Sequence, residues 1–499
     1  MFTYILFFFG CIAYSQDLDT LGLDTDYPEP GSVGPVDYQR SDALDTIRPS
    51  LQPDTLILNF REFLGYVKKY HPIAKQAELN IDIGQANLMR SRGGFDPKLE
   101  VDYDRKEFKG TEYYDRLNAT FKIPTWYGIE LKGNFEHNEG EFLNSSQEIP
   151  EDGLYGAGVS VSLGQGLLIN ERMATLKMAK FFREQTVADR DLQVNQILYE
   201  ASLAYFDWLQ AYQNSEVYIN FLENAEIRFE GIRTSALSGD IAAIDTVEAK
   251  IAVQNRALNL EQAKVELIKR SLELSNFLWM EDNVPVELQP NVVPDTRLQG
   301  DIDTTLEIMG SPLDSFTIEN HPKLRSIAFE IEGLEVDRRY KANKLLPQID
   351  VEYNFLTETP EYINSFETQQ YKGGLTFRMP LFLRKERGDL RLAKIKLRDA
   401  EFELDNAEIQ IRNKIIALFR ELESFETQNV LIDELVENTG AMLTAEERKF
   451  SFGESSLFLI NTRESNLIDA ELKRNEVQNK FFTVKAKLFN SLAVNPENL

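Results

Sequence analysis

Residues 239–274 read GDIAAIDTVEAKIAVQNRALNLEQAKVELIKRSLEL. After Gly239, the apolar residues Ile244, Ile251, Leu258, Val265 and Leu272 recur every seven positions. Val253, Leu260, Leu267 and Leu274 form a second seven-residue series, displaced by two positions. Two positions along an α-helix turn through about 200°, so the two series lie on nearly opposite faces. One apolar seam makes a simple coiled coil; two opposed seams ask for packed neighbours on both sides. That is what a wall of side-by-side helices requires. The other positions carry Glu248, Lys250, Arg256, Glu261, Lys264 and Lys269, which fit a wall wetted on both surfaces better than a helix inside an ordinary bundle.

The same pattern is set down twice. His71-Pro72 opens a helical stretch that ends in Asp96-Pro97-Lys98-Leu99-Glu100-Val101-Asp102-Tyr103, and His321-Pro322 opens one that ends in Leu346-Pro347-Gln348-Ile349-Asp350-Val351-Glu352-Tyr353, at a constant offset of 250. Further on, Gly239, Leu274, Asn276 and Leu278 align with Gly453, Leu488, Asn490 and Leu492 at an offset of 214. A duplication of this size predicts two units that fold alike and pack together. The difference between the offsets leaves 36 extra residues in the first unit, between Tyr103 and Gly166.

Strand-like alternation fills the same places in both units. Leu99, Val101 and Tyr103 alternate with charges, and Tyr155, Ala157, Val159, Val161 and Leu163 alternate with small residues. Between them, Tyr113 to Glu139 reads as an extra hairpin punctuated by Pro124 and Gly128. The second unit keeps two strands, near Gln348–Phe355 and Tyr371–Phe382. Long helical stretches follow, Asn170 to Leu237 and Lys385 to Phe450, without proline. Either would reach about 100 Å if continuous. The domain reading is a first repeat at 56–280, a linker rich in Pro, Asp and Thr at 281–315, a second repeat at 316–493 and a short tail at 494–499.

The chain is acidic, with a net charge of -27, which argues against nucleic acid as a partner. An acidic lining would favour cations. Met1 to Ser15 holds a short apolar run that exits through Ala13-Tyr14-Ser15, read as a secretory signal, and residues 16–55 read as a flexible arm. Cys11 is the only cysteine; lipidation there is the lesser alternative to cleavage after Ser15. No later segment holds 18 continuous apolar residues, so a membrane crossing would have to be made by strands closed into a barrel.

The order of helix, strands, long helix, glycine-centred turn and long helix resembles the TolC-like outer membrane efflux proteins. The first turn, Leu237-Ser238-Gly239-Asp240-Ile241-Ala242-Ala243-Ile244-Asp245-Thr246-Val247-Glu248-Ala249, matches the family's Gly, Asp and Ala spacing through Gly239, Asp245 and Ala249. The second turn is Phe450-Ser451-Phe452-Gly453-Glu454-Ser455-Ser456-Leu457. The strand exits Leu163-Gly164-Gln165-Gly166 and Phe377-Arg378-Met379-Pro380 are also similar, and the likeness runs from about Leu56 to Ala493. It implies a mainly α fold with a membrane β-barrel. A homotrimer would build a long periplasmic α-helical barrel topped by strands in the outer membrane lipid. The physics agrees, because the strands of one chain cannot close a barrel alone. Four strands per chain would give a barrel of twelve, and six would give eighteen if the extra hairpin joined the wall.

No catalytic constellation, cofactor loop or metal cluster is legible, so the expectation is a channel and not an enzyme. His71 and His321, at equivalent places before proline, read as helix-starting residues. The resemblance implies a tripartite efflux or type I secretion system, with a periplasmic adaptor and an inner membrane transporter as partners. By position, the adaptor-docking residues are Leu237, Ser238, Gly239 and Asp240 with Phe452, Gly453, Glu454 and Ser455. The periplasmic constriction would involve Asp245, Phe450, Leu459 and Thr462. Phe450, Ser455, Leu459 and Thr462 replace the family's usual Tyr, Arg and paired Asp, so an apolar constriction is expected instead of the usual latch. The alternative reading is a soluble periplasmic coiled-coil scaffold that conducts nothing.

Overall fold

In the computed structural model, residues 56–308, 320–360 and 367–494 are described. The expected signal, Cys11 and the arm, the end of the linker at 309–315 and the tail from 495 on lie outside the described residues. β1 (Leu56–Leu58) leads through the Asn59 cap into α1 (Phe60–Tyr70). α1 ends at His71, and α2 (Pro72–Arg92) starts afresh there. Proline at the first helical position cannot donate back to α1 but is preorganised to begin a helix.

Both His-Pro pairs serve the same purpose. His71 Nδ1 accepts from the Ile73 amide at 3.2 Å, and His321 Nδ1 accepts from the Lys323 amide at 3.1 Å. His321 Nε2 lies 3.2 Å from the Ser491 carbonyl, to which it donates, so the neutral ring satisfies both groups. Burial lowers the affinity of both imidazoles for a proton; the neighbouring Lys414 charge adds to this at His321, and the Ser491 bond partly offsets it. A folded pKa below the unfolded value gives stability that is fully present above about 6.5 and is lost as pH falls through the folded pKa. His321→Asn keeps a capping acceptor but cannot titrate. We expect the wild-type denaturation midpoint to fall between pH 7 and 5.5, and the variant's to fall less; equal slopes would refute the assignment.

Four strands follow in the first repeat: β2 (Lys98–Phe108), β3 (Thr111–Pro124), β4 (Ile129–Glu139) and β5 (Leu154–Gly164). The long helices are α3 (Glu171–Ser238), of 68 residues, and α4 (Ala243–Ser275), of 33. The linker region is partly structured: β6 (Val292–Pro294) pairs in parallel with β1, and α5 (Ile302–Thr305) is a single turn. The second repeat runs α6 (Pro322–Asn343), β7 (Gln348–Thr357), β8 (Tyr371–Arg378), α7 (Arg384–Ser451) and α8 (Leu457–Leu492). β8 is shorter than its alternation suggested, stopping before Met379-Pro380, because Pro380 has no amide to donate. α7 also has 68 residues, so each copy carries one helix about 100 Å long.

Helix packing follows the order α2, α3, α6, α7 in the half nearer the sheet and α4, α3, α8, α7 in the tip half, with α3 against α8 in the middle. The main core lies where α1, α5 and the β1–β6 pair cover that middle. Phe60, Phe63, Tyr205, Phe206, Trp208, Phe482 and Phe489 are all buried there. The Tyr205 hydroxyl donates to the Leu58 carbonyl at 2.7 Å and accepts from the Asp295 amide at 3.1 Å, fastening the linker segment to the long helix.

All six long strands form one antiparallel sheet in the order β2-β3-β4-β5-β7-β8. Its register sorts residue types by face. One row aligns Leu99, Phe121, Gly133, Ala157, Phe355 and Tyr371; the next aligns Lys98, Lys122, Lys132, Gly158, Asn354 and Lys372. On the apolar face Leu99, Tyr103, Phe121, Leu131, Leu375 and Phe377 are exposed. On the polar face charges pair across strands: Lys122 with Glu100, Arg116 with Asp104 at 3.4 Å, Lys132 with Glu352 at 2.6 Å, and Arg378 with Asp350 at 3.2 Å. An exposed apolar face opposite a charged one is the alternation of a lipid-facing barrel wall.

Candidate functional site at the helical tips

The two glycine turns close the helical hairpins with the same backbone device. Gly239 has φ +82° and Gly453 has φ +76°, and the space around each is open. Their conformation, not crowding, calls for glycine. The Gly239 amide donates to Ala236 at 3.1 Å and the Asp240 amide to Ser235 at 3.0 Å. At the equivalent places the Gly453 amide donates to Phe450 at 2.9 Å and the Glu454 amide to Lys449 at 3.0 Å. This pair of reverse bonds satisfies the last carbonyls of a helix and ends it sharply.

The tips present apolar side chains to water. Leu237 is 83 % exposed and Phe452 is 70 % exposed. Asp240 and Glu454 are exposed beside them. Ser238 Oγ donates back to the Thr234 carbonyl at 3.1 Å, within its own helix. Ser455 instead turns inward, donating to Glu446 at 2.5 Å, while Ser456 caps α8.

The four residues expected at the constriction do not form one cluster. Phe450 packs with Phe229 and Ile241 against Ile232, Ala249 and Leu457, in a small core that joins the two tips within the chain. Asp245 lies in the first turn of α4, where a carboxylate suits the helix N-terminus. Leu459 is partly exposed, and the Thr462 hydroxyl donates to the Phe458 carbonyl at 2.8 Å. Phe458, which sequence reasoning passed over, is 65 % exposed.

Sequence reasoning also missed an ion network behind the tips. Glu464 of α8 is almost completely buried, 3.2 Å from Arg228 of α3 and 3.4 Å from Arg256 of α4. Arg256 also reaches Ser465 at 3.0 Å, and Arg228 reaches Glu447 of α7 at 3.2 Å. One carboxylate therefore ties the α3–α4 hairpin to the α7–α8 hairpin. Arg256, placed by its heptad position on a wetted face, is in fact buried, because its partner comes from a helix more than 200 residues away. Asn461 and Glu248 add a second link, at 3.4 Å.

The chain thus presents paired helical hairpins ending in glycine tips, with a two-faced antiparallel sheet at the other end of the long helices. Residues 315–493 match the family model described as Outer membrane efflux protein. Solved structures share the fold. The Campylobacter jejuni CmeC outer membrane channel has a TM-score of 0.60 at 13% identity, with 87% of this chain and 85% of that one covered. The open state of the Neisseria gonorrhoeae MtrE outer membrane channel has a TM-score of 0.60 at 13% identity, with coverage of 87% and 88%. The outer membrane protein VceC from Vibrio cholerae has 0.59 at 10% identity, with coverage of 87% and 96%. No curated protein matches the sequence. The chain is therefore similar to outer membrane efflux proteins over its second repeat and shares the fold of these channels along most of its length.

Proposed function

We propose that this chain is the passive exit duct of a tripartite efflux or type I secretion system. It works as a homotrimer, has no enzymatic activity, and receives cargo from an inner membrane transporter through a periplasmic adaptor. The observation that carries this reading is that the helical wall and the sheet both end in unpartnered edges. In the tip half of the molecule α4 and α7 bound the helical layer, and each shows apolar residues at the same height: Ile244, Ile251, Leu258 and Val265 on one, Val430, Leu431, Leu435 and Met442 on the other, all exposed. β2 and β8 bound the sheet, and both are open along their length. The first seam of α4 therefore has no neighbour inside the chain, while Leu260 and Leu274 of the second are buried within it. Copies arranged head to tail cover both edges at once and close a ring. A soluble scaffold would leave the apolar sheet face in water.

The adaptor meets the tips at Leu237, Ser238, Gly239 and Asp240 and at Phe452, Gly453, Glu454 and Ser455. Leu459, with Asp245 and Thr462 on the neighbouring turns, narrows the periplasmic opening, and Phe450 supports it from the tip core. Replacing the exposed anchors with Leu237→Asp and Phe452→Asp should weaken adaptor binding at least tenfold, about 1.4 kcal/mol or more, while the trimer and its insertion persist. Binding of the double variant at wild-type affinity would refute tip docking. Planar-bilayer conductance of the purified wild-type assembly tests the duct itself; a non-conducting, membrane-inserted trimer would refute it.

A further inference from the structure

The extra hairpin of the first repeat is built as membrane wall. β3 and β4 enter the sheet between β2 and β5 with pairing on both sides, interrupted only by one register shift at Lys106 and Glu107, near the end of β2 far from the helices. They keep the two-faced alternation of their neighbours, with Phe121 and Leu131 on the apolar face and Asn118 and Asn134 on the polar one. The turn that joins them lies at the base of the sheet, beside the start of α3. There Trp126 stacks on Phe95 at 5.5 Å, its carbonyl accepts from Asn170 at 3.1 Å, and Glu130 pairs with Arg172 at 2.7 Å. A hairpin whose turn is fixed to the helical end of the sheet runs the full height of the wall and is no extracellular extension.

The stagger of the sheet includes the hairpin. The level row that begins at Lys98, the first residue of β2, ends at Lys372, six residues above Arg378 at the base of β8. Six residues over five strand-to-strand steps, at about 3.4 Å per residue and about 4.8 Å per strand, correspond to a tilt of about 40°. Membrane barrels tilt their strands by about 35–45°. Among the described residues the number of strands in the sheet is even, so β8 of one copy meets β2 of the next antiparallel.

We propose that three copies close an eighteen-stranded barrel, which rests on the trimer reading above. At this spacing and tilt it measures about 36 Å across, backbone to backbone, against about 24 Å for twelve strands. Its inner face carries charges of both signs already paired across strands, as in Lys132–Glu352. The outer membrane exit therefore admits bulky, hydrated cargo without strong selection by charge. The acidity of the chain is not concentrated on this lining.

The test is cysteine labelling of the full-length protein in intact outer membranes with a water-soluble maleimide, the unsubstituted chain serving as control for Cys11. Asn118→Cys and Asn134→Cys should label. Phe121→Cys and Leu131→Cys should lose that labelling until the membrane is dissolved. Labelling at all four positions would put the hairpin in water and overturn the proposal. The mass of the detergent-solubilised assembly separates the two ideas. Protection of Phe121→Cys and Leu131→Cys in a complex of other than three copies would overturn the trimer and the count of eighteen, while leaving the hairpin in the wall.

Discussion

Glu464→Ala should open the periplasmic end of the molecule locally, at a cost of about 3–5 kcal/mol. The carboxylate is nearly inaccessible and lies within 3.4 Å of two guanidinium groups. Removing one member of a buried ion group leaves the others desolvated and uncompensated, which is worth about that much. Arg228 retains Glu447, but Arg256 retains only the Ser465 hydroxyl, so the penalty falls mainly on the contact between α4 and α8. The expected reading is a rise of about 100-fold or more in amide exchange across the ends of α3, α4 and α8, with the aromatic core around Trp208 unchanged. Glu464→Gln keeps shape and one acceptor and should cost less. Because the group is buried, added salt should not reproduce the effect. Exchange at the wild-type rate in Glu464→Ala would show that the hairpins are held by apolar contacts alone.

Ile251→Asp together with Leu258→Asp should abolish assembly while leaving the isolated chain folded. Both side chains are more than half exposed in the single chain, at 51 % and 58 %. Within the chain they pack against little, and exposed substitutions of that kind shift stability by about 0.5 kcal/mol or less. In a closed ring the same positions would be buried against the α7 stripe at every junction. Each carboxylate would then lose its water without a partner, a cost of several kcal/mol repeated at each interface. The expected outcome is a monomer with wild-type helicity, no heat-modifiable trimer and no channel current. A double variant that still forms a conducting trimer would show that the ring closes through another face. Leu260→Asp makes the contrast, because that residue is buried in the chain's own α3–α4 packing and should damage the fold itself.

The heptads of α4 were legible because a helix registers its neighbours in every turn. They showed that both faces needed cover. They could not show that only one face is covered inside the chain, since a side chain's period carries no information about which molecule supplies its partner. The glycine turns were legible for the opposite reason. Gly239 and Gly453 answer to their own backbone angles, which depend on nothing distant. The roles of His71 and His321 were legible in the same way, as caps followed by proline.

Charge was the weakest guide. Arg256 sits among lysines and glutamates that do face water, and only the approach of Glu464 from the second repeat makes it an interior residue. Phe450 was read by position toward the opening, yet it packs into the core between the two tips. In both cases a contact across the repeats, invisible to local pattern, decides the environment.

By itself, then, the sequence determined the elements of this protein: two copies of a strand-and-long-helix unit, their turns, and 36 additional residues in the first strand block. Periodicity and capping are local, and local physics writes them directly into residue order. Only the tertiary structure decided what the additional residues do. An alternating hairpin can pair with a wall or stand away from it, and its two-residue period is the same in either case. The register of β4 against β5, and the seat of Trp126 beside the start of α3, place it in the sheet. Strand pairing is a bond between distant segments, so it is settled only when the chain has folded.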